Sequence, residues 1–164
     1  MVNKAIFLDR DGVINSDEGL YYIYKTSDLR LNEQIEDNIC KMKKAGYLVI
    51  IISNQGGIGK GIYSKSDAED IHTLIRLKVQ EKGCAIDEVY FCPHHPDAGN
   101  CLCRKPQPLL IEKAIARFNI DRSQSFLIGD SKRDVEAAHL AGIKGILVEK
   151  NINIYSVCKE NNIF

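Results

Sequence analysis

Phe7-Leu8-Asp9-Arg10-Asp11-Gly12-Val13-Ile14-Asn15 is the stretch on which the fold turns. An apolar run over residues 5–8 stops at two aspartates spaced i, i+2, and a glycine follows at once. A strand end that delivers carboxylates into a Gly-marked turn is where an open α/β sheet places its ligand site. A carboxylate there can act as nucleophile, as metal ligand or as both. The competing reading is a solvated Asp-Gly turn closing a hairpin. It accounts for neither the second Asp nor the matching signals downstream.

Outward from that stretch, apolar runs alternate with helical patterns. Strands are predicted over 5–8, 47–52, 86–91, 125–128 and 146–148. Helices are predicted over 34–45, 66–82, 109–118, 132–141 and 154–160. Residues 47–52 form an unbroken Val/Ile-rich run, the mark of a strand buried on both faces of a parallel sheet. Ile35, Ile39 and Met42 repeat at helix spacing, with Gly46 as the stop. The β-α-β-α order predicts an α/β fold with a doubly wound, mainly parallel sheet. Residues 16–32 are the least regular and carry three tyrosines, so they read as a flap over the strand ends. Residues 92–106 read as a loop.

The 164 residues suit one domain, 1–164, with a sizeable core. Lys+Arg and Asp+Glu number 22 each, which offers no basic surplus for nucleic acid. No apolar run approaches the roughly 20 residues of a membrane span, and the start lacks a signal-peptide pattern. A cytoplasmic protein is expected, a monomer acting on a small molecule, with no nucleic-acid or membrane partner.

Three further segments resemble the first in kind. Ser53-Asn54-Gln55-Gly56-Gly57-Ile58-Gly59-Lys60-Gly61 follows the second strand. Its hydroxyl, amide and glycine N–H groups suit a phosphate, although it does not fit a P-loop. Gly129-Asp130-Ser131 follows the fourth strand. Asp130 or Ser131 alone would read as a helix cap. After Asp9 and Asp11, a third strand-end carboxylate suggests a shared Mg2+. Arg104-Lys105 adds two cations, one able to fork onto a phosphate and one acting as a point charge.

Six cysteines are present, and Cys92, Cys101 and Cys103 cluster around His94-His95. Cys-x-His and Cys-x-Cys offer the four N/S ligands of a closed structural Zn2+ site. A disulfide from Cys92 to Cys101 or Cys103 is the competitor, and spacing does not choose between the two histidines. Cys40, Cys84 and Cys158 read as separate thiols, and His72 and His139 as surface or boundary residues.

Asp9-x-Asp11-Gly12-Val13-x-Asn15, Ser53-Asn54-Gln55, Lys105-Pro106 and Gly129-Asp130-Ser131 with Asp134 occur in this order over nearly the whole chain. The set resembles the haloacid dehalogenase superfamily of aspartate-nucleophile phosphatases. The Cys-x-His…Cys-x-Cys-Arg-Lys-Pro segment is similar to its small zinc-containing branch, which holds heptose bisphosphate and histidinol phosphatases. The resemblance implies a Rossmann-like domain with a minimal cap. It implies Asp9 as nucleophile, Asp11 as general acid and base, and Mg2+ at Asp9, Asp130 and the Asp11 carbonyl. Zn2+ would sit on Cys92, His94, Cys101 and Cys103. Ser53 and Asn54 would bind phosphate, and Lys105 would offset charge. Gln55, Arg104 and Lys60 would contact substrate, and Asp134 would orient its neighbours.

The implied substrate is a phosphorylated sugar, D-glycero-D-manno-heptose 1,7-bisphosphate losing its 7-phosphate. The alternatives are histidinol phosphate, or a non-catalytic zinc-stabilised interaction module. Two stretches depart from the branch: Leu109-Leu110 where Gly-Met usually follows the proline, and Leu20-Tyr21-Tyr22 where Gly-Tyr-Val is usual.

Overall fold

The structure, a computed structural model, describes residues 2–164. Five strands form one sheet: β1 (Lys4–Leu8), β2 (Tyr47–Asn54), β3 (Glu88–Cys92), β4 (Phe126–Gly129) and β5 (Lys144–Leu147). Their spatial order is β3-β2-β1-β4-β5, and every pairing is parallel. The helices are α1 (Ile35–Lys44), α2 (Gly56–Gly59), α3 (Lys65–Glu81), α4 (Leu109–Phe118), α5 (Lys132–Leu140) and α6 (Tyr155–Glu160).

The central strands are apolar throughout because both of their faces are covered. Ile6 and Leu8 of β1 pack with Val49 and Ile51 of β2 against α1, α3 and α6. Ala5, Phe7, Ile50 and Ile52 point the other way, against α4 and α5. The chain leaves β1 toward β2 and β3, then returns to lay β4 on the other side of β1. The strand order therefore reverses between β1 and β4, which is where such sheets open a crevice at their carboxyl ends.

The expected elements are present with shifted ends. β3 begins two residues later than the apolar run. Asp87 is engaged through its side chain, accepting from Val49 N at 2.7 Å and Lys43 Nζ at 2.6 Å. β5 begins at Lys144, two residues earlier than predicted, because an edge strand tolerates an exposed Lys and a Gly that carry no apolar signal. α3 starts at Lys65, where Ser64 and Asp67 form a capping box. The Gly-rich segment opens with the single helical turn α2.

Cys40 on α1 and Cys84 beyond α3 are joined by a disulfide, with Cα atoms 5.5 Å apart. This corrects the reading of both as separate thiols; the packing of α1 beside α3 brings together residues 44 positions apart. No described helix is long and apolar enough to cross a membrane.

α5 lies unusually close to β5. A Cβ built on Gly145 would meet Val135 Cα at 2.9 Å and Ala138 Cβ at 3.2 Å. Gly145→Val should therefore force α5 off the sheet and cost about 1–3 kcal/mol of stability by overpacking. Urea unfolding checks this, and an unchanged midpoint would contradict the contact.

Candidate active site

The crevice at the β1/β4 reversal is a cleft of about 450 Å³ lined by Asp9, Asp11, Ser53, Arg104, Lys105 and Asp130, among others. Each arrives from a strand end or a loop that follows one. Asp9 continues the β1–β4 ladder, its N–H donating to Ile128 O at 3.0 Å.

Lys105 is the hub. Its ammonium donates to Asp9 Oδ1 at 2.9 Å, Asp134 Oδ1 at 2.6 Å and the Ile52 carbonyl at 2.8 Å, while its side chain is 2% exposed. Asn54 clamps the main chain of this residue: Lys105 N donates to Asn54 Oδ1 at 2.9 Å, and Asn54 Nδ2 to Lys105 O at 3.1 Å. The side chain expected on phosphate is thus engaged in holding the lysine. Ser53 lines the cleft.

Carboxylates outnumber cations here. Asp9, Asp130 and Asp134 each place an oxygen within 4.8 Å of the others. Burial raises the Asp9 carboxyl, Lys105 opposes this and the Asp134 charge reinforces it, leaving the group at about 7. Burial and then Asp134 also raise Asp130. Three hard oxygen donors with surplus negative charge fit a divalent cation, whose charge would draw these groups back down. Asp134 was expected only to orient neighbours; it pairs with Lys105, and its Oδ2 accepts from Ser131 N at 3.0 Å.

Asp11 has the opposite environment. Burial would raise it, but the Arg10 charge and hydrogen bonds from Asn15, Arg10 and Gln55 outweigh burial and hold it below the usual range. Arg10 Nε and Nη2 reach Asp11 Oδ1 at 3.0 and 2.9 Å. Gln55 Nε2 donates to Asp11 Oδ2 at 3.0 Å and to Ser53 Oγ at 2.8 Å, and its Oε1 accepts from Tyr63 at 2.6 Å. Gln55 was expected on substrate; it is buried, with its amide engaged by protein groups.

Sequence reasoning missed Arg10, which lies between the two aspartates. It is fully buried. It also misread His72, which lies beside Arg10 rather than at the surface. Tyr63, Asp17 and Lys150 gave no local signal. Lys150 pairs with Asp17 of the flap at 2.7 Å and stands 3.9 Å from Asp130, facing the cleft.

The turn after Asp11 requires glycine. Gly12 has φ 88°, and a Cβ there would overlap the Asp130 carboxylate. The flap is pinned at its base, where Ser16 N donates to Arg30 O at 2.8 Å and Asn32 Nδ2 to Val13 O at 2.9 Å. Its Tyr21 is 88% exposed at the cleft mouth. Arg104 lines the cleft, with Nη1 on His94 O at 3.1 Å. Lys60 does not line the cleft; it lies 3.7 Å from Asp97.

Cys92, His94, Cys101 and Cys103 converge within 4.8 Å, and the three cysteines are unbonded. Sulfur–sulfur separations are 3.1, 3.6 and 3.8 Å, and His94 Nδ1 lies 3.5 and 3.3 Å from Cys92 and Cys103. A tetrahedral zinc with bonds near 2.3 Å needs edges of roughly 3.8 Å. The donor set and its size fit that ion, and the geometry uses His94. His95 Nδ1 instead accepts from Asp97 N at 3.2 Å.

The HAD-hydrolase-like family profile matches residues 102–159. A D-glycero-D-manno-heptose-1,7-bisphosphate 7-phosphatase from Chlorobaculum tepidum is 37% identical over 172 positions, covering 98% of this chain and 86% of its own. The D-glycero-beta-D-manno-heptose-1,7-bisphosphate 7-phosphatase of Helicobacter pylori is 40% identical over 147 positions, covering 89% and 83%. Among solved structures, a D,D-heptose 1,7-bisphosphate phosphatase from B. bronchiseptica complexed with magnesium and phosphate superposes with a TM-score of 0.84. It is 29% identical, covering 95% of this chain and 86% of that one. Identity of this depth across whole chains, on a sheet that gathers its carboxylates at one reversal point, places the chain in the haloacid dehalogenase-like hydrolases, as a phosphatase.

Proposed function

We propose that this chain, working as one domain over 1–164, removes the 7-phosphate of D-glycero-D-manno-heptose 1,7-bisphosphate through an aspartyl-phosphate. The observation that carries the chemistry is the separation of two neighbouring carboxylates into different environments. Asp9 faces the cleft against a buried lysine, while Asp11 is held by a guanidinium fork. Position divides the roles: Asp9 stands among the metal-type carboxylates Asp130 and Asp134, where a bound cation would favour its charged, nucleophilic form, and Asp11 is oriented by Arg10 beside the leaving group. The names of the relatives support the sugar bisphosphate over histidinol phosphate.

Asp9 attacks phosphorus, the P–O bond to the sugar breaks, and the leaving oxygen takes a proton from Asp11. A carboxylate held low by Arg10 can carry that proton once a dianionic phosphate lies beside it. Asp11 then removes a proton from the water that cleaves the acyl phosphate. Asp9, Asp130 and the Asp11 carbonyl would hold Mg2+, whose charge offsets that of the transferring phosphoryl group. Ser53 and Lys105 stabilise the phosphoryl oxygens, and Arg104 grips the substrate. Zn2+ on the four N/S ligands would stiffen the loop that ends in Arg104 and Lys105. A cytoplasmic monomer fits this reading, although the Cys40–Cys84 bond is of a kind more usual in oxidising compartments.

Asp9→Asn should lower turnover by at least about 10³-fold and keep the fold, checked by phosphate release beside circular dichroism. Wild-type activity in that variant would remove the nucleophile assignment. With Mg2+ in excess, chelating the zinc should lower both melting temperature and turnover, and added Zn2+ should restore them. Unchanged melting after verified removal would refute the stiffening role. Turnover measured on the heptose bisphosphate and on histidinol phosphate should favour the former by kcat/KM; the reverse order would transfer the assignment to histidinol phosphate.

A further inference from the structure

Arg10 is fully buried, and its five N–H donors need acceptors where water is excluded. Nε and Nη2 serve Asp11, and Nη2 also reaches the Ile23 carbonyl at 2.7 Å. Nη1 lies 3.4 Å from His72 Nε2. His72 is carried by α3, is 5% exposed, and packs its ring 5.0 Å from that of Phe91 at the end of β3. Burial first, and then the Arg10 charge, push its imidazole down to about 3, so a neutral ring offers Nε2 as an acceptor.

We infer that His72 is a positioning residue for the acid–base carboxylate: its Nε2 accepts from Arg10 and so sets the plane of the fork that orients Asp11. This rests on the reading of Asp11 as acid and base. A guanidinium is planar and rigid, so fixing Nη1 fixes the direction of the Nε–Nη2 edge. His72 does not line the cleft and acts only through Arg10. The same contact ties α3 to the turn after β1.

The test compares His72→Leu, which removes the acceptor, with His72→Gln, whose amide reaches about as far as Nε2, and His72→Asn, which is polar but too short. Leaving-group release in the first turnover is followed with Mg2+ for heptose 1,7-bisphosphate and for p-nitrophenyl phosphate, whose leaving group needs no proton. Asp11→Asn is run alongside. His72→Leu and His72→Asn should slow the bisphosphate by about 10-fold at saturation with little change in the half-saturating concentration, and barely slow the aryl ester, and His72→Gln should restore the rate. If Asp11→Asn shows this selectivity while the Leu and Asn variants do not, the positioning role is overturned. The same follows if Gln and Asn behave alike, a comparison that still decides should the Leu variant fail to fold. If Asp11→Asn slows both esters equally, the acid assignment beneath the inference has failed, and the inference falls with it.

Discussion

The ammonium of Lys105 is enclosed between Asp9 and Asp134, and the arrangement of the site follows from that pairing. A charge so far from water is tolerated only when it is paired and its hydrogen bonds are satisfied. Here the three partners come from the end of β1, the first turn of α5 and the main chain of β2. The lysine therefore fixes the relative positions of three elements that meet at the sheet's reversal point. It also leaves the carboxylates in surplus, because Asp9, Asp130 and Asp134 are faced by two ammoniums, Lys105 and the more distant Lys150. Burial first, and then the Asp134 charge, raise Asp9 against the pull of Lys105, and a cation with hard oxygen preference would favour its charged form.

Two residues further on, the same residue type is held in the opposite state. Asp11 receives the fork of Arg10 and the amides of Asn15 and Gln55. The difference between Asp9 and Asp11 comes from their neighbours, and the i, i+2 spacing is what lets the neighbours differ. Asp9 and Asp11 straddle Arg10, so the arginine can turn inward while both carboxylates reach the cleft.

Much of this is legible in the chain because it is local. Continuous apolar runs give the buried strands, and the residues that leave those strands give Asp9, Asp11, Ser53 and Asp130. The Cys-x-His and Cys-x-Cys pairs give the metal loop, since ligand chemistry and spacing sit in one short segment. What is not legible is whatever depends on distant parts of the fold. Nothing local marks Arg10 as buried, and its contact to α3 comes only with the fold. His72 lies 62 positions away with no pattern to connect it. Cys40 and Cys84 become neighbours only through the packing of α1 beside α3. Gln55 and Asn54 were read correctly as polar groups at a strand end, but which way they face is decided by Tyr63 and by the Lys105 main chain.

The Cys/His loop connects these two levels. Cys103 is followed immediately by Arg104 and Lys105, so the last zinc-type ligand is two residues from the buried hub. A loop that must deliver an ammonium to within 2.9 Å of one carboxylate and 2.6 Å of another cannot wander. Asn54 holds the delivered end through two hydrogen bonds to Lys105, and the four N/S ligands gather the other end. Fixing both ends of a short segment leaves Lys105 little conformational freedom to lose. The cysteine cluster and the strand-end aspartates therefore converge on one side chain, the buried ammonium of Lys105.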